Sequence, residues 1–387
     1  MTKRVCVIRL STYIGDMSVQ REVATLYKAG FETHVICMDA IKKEANYQRE
    51  LIIDGVYVHR LPTTRKKLGT GRYMFDYLLF FFLAMLKVTQ LHLQRRFDVV
   101  QVNTMPDFLV FATIFVKLLG AKVVVMMQEP MPELWETMRG APAPRLIKWT
   151  EQAALWYVDE SLTVTQQLKD AYVSRGARAD KISVILNVPE PTFLEVATES
   201  TVAPQPEYFT LVCHGAIEER YGQDTMLEAM VLLKEKLPQA RLRIMGAGSY
   251  EAEFQAQIVK LGLEKQVNFL GWVSFAQMVQ EIKAADVGIV AQKASPYSNL
   301  VHTNKMYEYI AFGKPVLATR LKSVAAYFGA EALHYFESGD PVSLAEGILY
   351  LYHHPEKRRT LVENAQKLYE QYKWEKQKEI YLAVFNS

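Results

Sequence analysis

Lys305 and Glu308 stand three residues apart in Thr303-Asn-Lys-Met-Tyr-Glu-Tyr-Ile-Ala-Phe-Gly-Lys-Pro-Val-Leu-Ala318, a segment that reads as a short helix followed by a buried strand. Thr303 or Asn304 can cap the helix start, Gly313 suits the left-handed turn after its end, and Pro315 prevents continuation. A lysine in the first turn is repelled by the macrodipole of its own helix. The placement makes physical sense if an anion sits there, gripped by backbone N–H groups and the ammonium together. Glu308, one turn later on the same face, is then placed to accept from the ribose hydroxyls of a nucleotide diphosphate. The competing reading is an i,i+3 ion pair on a solvated helix.

Other candidate residues fall in loops that follow apolar runs. His214-Gly-Ala-Ile-Glu-Glu-Arg-Tyr-Gly222 brings Gly215, which permits close backbone approach, and Arg220, whose planar fork suits phosphate. Arg220 and Lys305 together could neutralise most of a diphosphate's charge. Gly246-Ala-Gly248 follows a strand and precedes a helix, but Glu251 replaces the third glycine of a dinucleotide fingerprint, so a tight strand-to-helix turn competes with ligand approach at Gly248. Gly271 could let a nucleobase lie against backbone, with Trp272 either stacking on it or packing inward. In Met127-Gln-Glu-Pro-Met-Pro-Glu133, Glu129 and Glu133 are paired carboxylates for acid-base work or for orienting hydroxyls, in what reads as a proline-stiffened loop. Gln128 beside them cannot act as a base. The loop after the first strand, Ser11 to Glu22, lacks G-x-G-x-x-G, which disfavours a dehydrogenase.

Composition narrows the function classes. The chain has 387 residues, more than one core usually supports, so two domains are expected. Half of it is apolar and 22% is charged, an ordinary globular balance. Net charge is +3, but residues 1–190 hold 25 Lys+Arg against 19 Asp+Glu, and the remainder 20 against 23. That asymmetry is too weak for a nucleic-acid binder and is compatible with an anionic acceptor or membrane surface. Cys6, Cys37 and Cys213 are far apart, odd in number and set in apolar runs, which reads as reduced core thiols of a cytoplasmic protein. No C-x-x-C or His-x-x-x-His spacing exists, so no metal is expected. The start runs directly into an apolar strand, without the pattern of a signal peptide.

These loops need strands and helices to hold them. Strand patterns occur at 5–9, 33–38, 56–61, 99–103, 122–127, 160–164 and 182–186, and again at 209–213, 241–245, 267–270, 287–290, 315–319 and 333–336. Helical patterns at 19–29, 73–91, 107–118, 146–157 and 166–174 alternate with the first set. Such alternation points to an α/β chain of two doubly wound, Rossmann-like parallel sheets facing a central cleft. The expected division is 1–190, a linker at 191–207, a second domain at 208–365 and a charged helical tail at 366–387 returning to the first domain. The apolar run 77–86 is about half a spanning length, so it is expected not to cross a bilayer. Arg65, Lys66, Lys67 and Arg72 precede it, so peripheral membrane contact through 65–90 competes with a helix that merely covers the sheet.

Taken in order, Asp16 with Gln20-Arg-Glu22, Asp54-Gly55, Met105-Pro-Asp107, Met131-Pro-Glu133, Asn187-Val-Pro, His214-Gly with Arg220-Tyr-Gly222, Gly246-Ala-Gly248, Phe269-Leu-Gly271 and Asn304-Lys-Met-Tyr-Glu-Tyr309 with Gly313-Lys-Pro-Val316 resemble the family 4 retaining glycosyltransferases of the GT-B architecture. The likeness runs over nearly the whole chain. It implies a nucleotide-diphosphate sugar, with UDP the family's usual carrier, bound mainly by the second domain through Gly215, Arg220, Gly248, Gly271, Trp272, Thr303, Asn304, Lys305 and Glu308. It implies an acceptor side with Asp16, Asp107, Gln128 and Glu133, and a metal-independent reaction carried by Glu129, Arg220 and Lys305, with no cofactor. The acceptor would be a glycan or lipid-linked glycan in surface polysaccharide synthesis.

Three positions depart from the family pattern. Leu300 stands where many members carry the earlier glutamate of a spaced pair ending at Glu308, Gln128 where many have histidine, and Tyr221 where a phosphate lysine is common. An inactive, nucleotide-binding partner protein is therefore the alternative to an active transferase.

Overall fold

The computed structural model describes residues 2–39, 48–63, 70–190 and 207–386, without the side chains of 70–73. The chain divides into two compact units, Met1–Asn187 with Gln377–Ser387, and Val188–Lys376. Nearly all of the expected linker, 191–206, and the basic residues Arg65, Lys66 and Lys67 lie outside the described residues, as does the side chain of Arg72.

The first unit is built on eight strands: β1 (Arg4–Thr12), β2 (Glu32–Met38), β3 (Glu50–Ile53), β4 (Val56–Leu61), β5 (Val99–Asn103), β6 (Lys122–Met127), β7 (Glu160–Thr163) and β8 (Ile182–Val184). Their order is β3-β4-β2-β1-β5-β6-β7-β8, parallel throughout except for β3, which pairs antiparallel with β4. β5, Val-Val-Gln-Val-Asn, is buried along its whole length, as expected of a strand covered on both faces. Its two polar side chains are satisfied inside the core. Gln101 and Asn103 both donate to the buried Glu22 carboxylate at 2.7 Å, and Gln101 accepts from the Tyr381 hydroxyl at 2.7 Å.

Tyr381 belongs to the tail, which breaks into helices Pro355–Tyr369 and Trp374–Asn386. The residues from 377 onward group with the first unit. Tyr381 and Phe385 are fully buried, and Lys3 and Lys122 donate to the last carbonyls of the helix, at Phe385 and Val384. Cations at a helix carboxyl end also complement its dipole.

Helix Thr70–Arg95 is longer than the expected 73–91, and residues 74–95 are apolar and long enough to cross a membrane by length and composition. The ten-residue run 77–86 is thus one part of a longer apolar helix. Its stripe Phe80, Ala84, Val88 and Leu91 is buried, the helix lies against β1, β2 and β4, and it serves as a sheet-covering helix.

The second unit has β9 (Phe209–His214), β10 (Ala240–Met245), β11 (Val267–Phe269), β12 (Val287–Val290), β13 (Val316–Thr319) and β14 (His334–Phe336), all parallel in the order β11-β10-β9-β12-β13-β14. Both sheets are doubly wound. The chain reverses its direction of strand addition between β1 and β5 in one unit and between β9 and β12 in the other. Ligands of such sheets bind at the carboxyl ends of the strands at that reversal.

Candidate functional site

In the second unit the reversal places the end of β9 at His214, and the loop that begins at Gly215, beside the loop after β12 that leads into helix Lys305–Ala311. Five residues meet there. Lys305 is 8% exposed, and its Nζ lies 4.5 Å from the ring centroid of Tyr221. The Arg220 guanidinium stands 5.1 Å from the same ring, so two cations converge on one aromatic. His214 Nε2 lies 2.8 Å from Glu308 Oε2.

The i,i+3 ion pair between Lys305 and Glu308 does not form. Glu308 turns to His214 instead, and no carboxylate among the described residues lies within salt-bridge distance of Lys305. A buried ammonium without a counter-charge is costly, and the cost is relieved when an anion arrives.

Gly215 explains how the lysine reaches this place. It adopts φ +107°, and a Cβ there would stand 2.5 Å from Lys305 Cε. The close approach expected at Gly215 is therefore made by the lysine stem. Gly222, at φ +71°, passes so near the loop after β12 that a Cβ would meet the Ala291 carbonyl oxygen at 2.0 Å. Gly248 packs on backbone in the same manner, its virtual Cβ 2.0 Å from the Ile217 carbonyl oxygen, which makes it a packing glycine.

The helix start is held from behind. Asn304 occupies the cap position without a side-chain hydrogen bond, and the Thr303 hydroxyl accepts from the Lys305 N–H at 3.4 Å. Burial lowers His302 to about 4, so its ring is neutral near pH 7. Its Nδ1 then donates to the Ser323 carbonyl at 2.9 Å, and its Nε2 accepts from the Tyr307 hydroxyl at 2.9 Å. Gly271 accepts from the Gly246 N–H at 2.7 Å, and Trp272 beside it is 79% exposed, so it does not pack inward.

In the first unit the reversal lies between β1 and β5; Asp16 stands in the loop after β1, and Asp107 opens the helical turn Asp107–Thr113 after β5. Asp16 caps helix Met17–Lys28, accepting from the Val19 N–H, from Arg9 Nε at 3.0 Å and from the Ser11 hydroxyl at 2.9 Å. Asp107 is buried, and burial with the nearby Glu151 pushes it up to about 8. The segment expected as a proline-stiffened loop is loop only as far as Pro130; Met131–Arg139 is a helix, because proline is tolerated in a first turn. Gln128 and Glu129 remain in the loop and partly exposed. Glu133 is in the helix, and its Oε1 meets Arg175 at 2.6 Å.

Sequence reasoning missed that Arg175 also grips the fully buried Glu151, through Nε at 2.8 Å and Nη2 at 2.9 Å. The signal was present. Glu151 falls on the helical stripe of Ile147, Ala154 and Val158, which marks an inward carboxylate needing a partner. His214 and Tyr221 were also missed as site residues; no spacing rule links them to Lys305. Among the described residues no cluster of three His, Cys, Asp or Glu side chains could hold a metal ion.

Comparisons with known proteins agree with this layout. The family description "Glycosyl transferase 4-like domain" matches residues 16–187, and "Glycosyl transferases group 1" matches residues 199–368. Over 160 residues the chain is 31% identical to EpsD of Bacillus subtilis (strain 168), a stretch covering 41% of this chain and 40% of that protein. A shorter stretch of 77 residues is 30% identical to a GDP-mannose-dependent monoacylated alpha-(1-6)-phosphatidylinositol monomannoside mannosyltransferase of Corynebacterium glutamicum, covering 20% of each chain. The matches span less than half the length of these curated relatives.

Solved structures show the same fold over the whole length. Sucrose-phosphate synthase from Thermosynechococcus elongatus superposes with a TM-score of 0.78 at 17% identity, covering 99% of this chain and 98% of that one. Anabaena HepE in complex with UDP-glucose gives 0.72 at 16% identity, covering 99% of each. With one glycosyltransferase description on each unit and this two-unit fold beneath them, the chain belongs to the family 4 glycosyltransferases of the GT-B architecture.

Proposed function

We propose that the protein is a retaining, metal-independent glycosyltransferase that moves a sugar from a UDP-linked donor to a glycan or lipid-linked acceptor in surface polysaccharide synthesis. The observation that carries this reading is the buried Lys305 ammonium, which has no carboxylate partner among the described residues and shares the Tyr221 ring with Arg220. Two cations at the strand reversal suit a leaving group with two phosphates. HepE, with the same fold, has been solved with UDP-glucose bound.

In the reaction the bond between the sugar's anomeric carbon and the β-phosphate oxygen breaks, and the acceptor oxygen bonds to that carbon on the same face. The acceptor's proton passes to the departing phosphate, so no separate base is required. Lys305 and Arg220 stabilise the charge that develops on the diphosphate. Glu308 turns from His214 to the ribose hydroxyls, and Gly271 and Trp272 flank the base. Asp16, Asp107, Gln128, Glu129 and Glu133 belong to the acceptor side. Asp16, Asp107 and Glu133 shape that side through the contacts that hold them, and Glu129 orients acceptor hydroxyls. The protein works in the cytoplasm, in keeping with three buried free thiols, and touches the inner face of the membrane through residues 65–90.

Calorimetry with UDP, GDP and the free nucleosides, followed by turnover on a panel of UDP- and GDP-sugars, tests the reading. UDP binding about tenfold or more tighter than uridine, with transfer to a lipid or saccharide acceptor, is expected. Equal affinity for nucleotide and nucleoside defeats the phosphate site. Tight binding with no turnover on any donor assigns the chain to the inactive partner role that Leu300 and Gln128 allow.

A further inference from the structure

Three neighbouring helical segments of the first unit carry exposed apolar residues on their outer faces. Helix Thr70–Arg95 exposes Leu78, Phe82 and Leu86, one turn apart along one line. The turn Asp107–Thr113 and helix Ile114–Leu118 end in exposed Ile114, Phe115 and Leu118. Helix Arg145–Tyr157 exposes Leu146, Trp149 and Trp156 on one stripe, with Trp149 at 66% and Trp156 at 85% exposure. The segments are joined edge to edge. Phe81 meets Phe108 with ring centroids 5.9 Å apart, and Phe111 meets Tyr157 at 5.2 Å. They link β4 to β5, β5 to β6 and β6 to β7, so right-handed crossovers lay all three on one side of the sheet. Their exposed stripes therefore form one broad surface.

Charge on this layer is one-sided. The three segments contain only three acids, Asp76, Asp107 and Glu151, and each is buried. Of the cations on these helices, Lys87 and Arg95 are paired with Glu50 and Glu32 of neighbouring strands. Arg145 is exposed and makes no ion pair among the described residues. Lys148 is exposed and reaches Glu136 only at 3.7 Å, while Lys117 is held by Asp159 at 2.6 Å. Exposed tryptophans, aliphatic side chains and cations without a surface carboxylate on the same helices match the boundary of an anionic bilayer, where indole rings sit at headgroup depth and cations meet phosphate.

We infer that the outer face of this three-segment layer, anchored by Trp149 and Trp156, docks the protein on an anionic lipid surface. This extends the contact proposed for residues 65–90 from one helix to the whole layer, and moves its anchor to helix Arg145–Tyr157. The docking needs no bound nucleotide, so it stands or falls separately from the diphosphate site.

The test is flotation of the full chain with vesicles of phosphatidylcholine alone and of phosphatidylcholine mixed with phosphatidylglycerol. Binding to the anionic vesicles is expected, with a drop of about tenfold or more in partition for the double variant Trp149→Glu/Trp156→Glu and unchanged UDP affinity. Absence of flotation with anionic vesicles, or undiminished flotation of the double variant, overturns the inference. A concentration-dependent dimer that the double variant dissolves also overturns it and assigns the face to a second copy of the chain. Should the double variant fail to fold, tryptophan quenching by brominated anionic lipid in a Trp272→Phe background decides the matter. Quenching is expected, and its absence counts against docking.

Discussion

Lys305 lies across Gly215, so closely that a Cβ on the glycine would stand 2.5 Å from Lys305 Cε and 3.0 Å from Nζ. Gly215→Ala must displace the lysine and also hold an alanine at φ +107°, where L-residues are strained by about 1–3 kcal/mol. Urea unfolding should show the stability loss, and calorimetry should show UDP binding about tenfold weaker with uridine binding unchanged. A variant that is less stable yet binds UDP normally would separate the lysine's position from phosphate recognition.

Lys305, Arg220 and Glu308 should divide according to the part of the ligand each meets. Lys305→Ala and Arg220→Ala each remove one charge-assisted contact, about 1.5–3 kcal/mol, from UDP and nothing from uridine. Glu308→Ala should weaken both ligands by the same factor, because both carry the ribose. Titrating the three variants with both ligands gives six affinities, and a Glu308 loss confined to UDP would reassign that carboxylate.

Asp107 sets a pH dependence whose sign is opposite to that of an ordinary salt-bridged carboxylate. Burial, then Glu151, pushes it up to about 8, while Arg175 and a hydrogen bond from Thr104 act the other way. A carboxyl raised in the folded state contributes stability in full below its unfolded value near 4, and that contribution is lost as pH rises towards 8. Asp107→Asn cannot ionise, so its stability relative to the parent should improve between pH 5 and about 8 and change little at pH 4. Urea midpoints of the first unit across this range would show it. A parallel pair of pH curves would mean that Asp107 ionises freely.

The strand plan was legible because both sheets are covered on two faces, which leaves continuous β-branched runs such as Val99 to Asn103 that periodicity detects. β3 was not legible, since Leu51-Ile-Ile53 is too short a run for periodicity to separate a four-residue edge strand from its surroundings. The helix Met131–Arg139 was hidden by Pro130 and Pro132, which read as loop residues although one of them sits comfortably in a first turn. Lys305 and Glu308 stand out in the sequence by their spacing in a short helix, but the side chains they meet do not. Gly215 and Tyr221 are brought to Lys305 by the adjacency of β9 and β12, and His214 to Glu308 by the same adjacency; sheet order, not local spacing, creates such contacts.

Arg175 lies between two inward carboxylates, meeting Glu133 at 2.6 Å and Glu151 at 2.8 Å. Arg175→Met keeps much of the stem's packing and leaves a fully buried Glu151 without its counter-charge, a loss of about 3–5 kcal/mol for a broken buried pair. The loss should shrink in acid. Burial already raises Glu151, Arg175 opposes that rise, and without the arginine the carboxyl takes up its proton at still higher pH. A group raised in this way stabilises the fold at low pH and gives up that stability as pH rises, so the variant should lie nearer the parent at pH 5 than at pH 8. Because the change is confined to the first unit, UDP affinity of the folded variant should be unchanged. A variant that unfolds no earlier than the parent at pH 8 would show that Glu151 finds another partner when the arginine is gone.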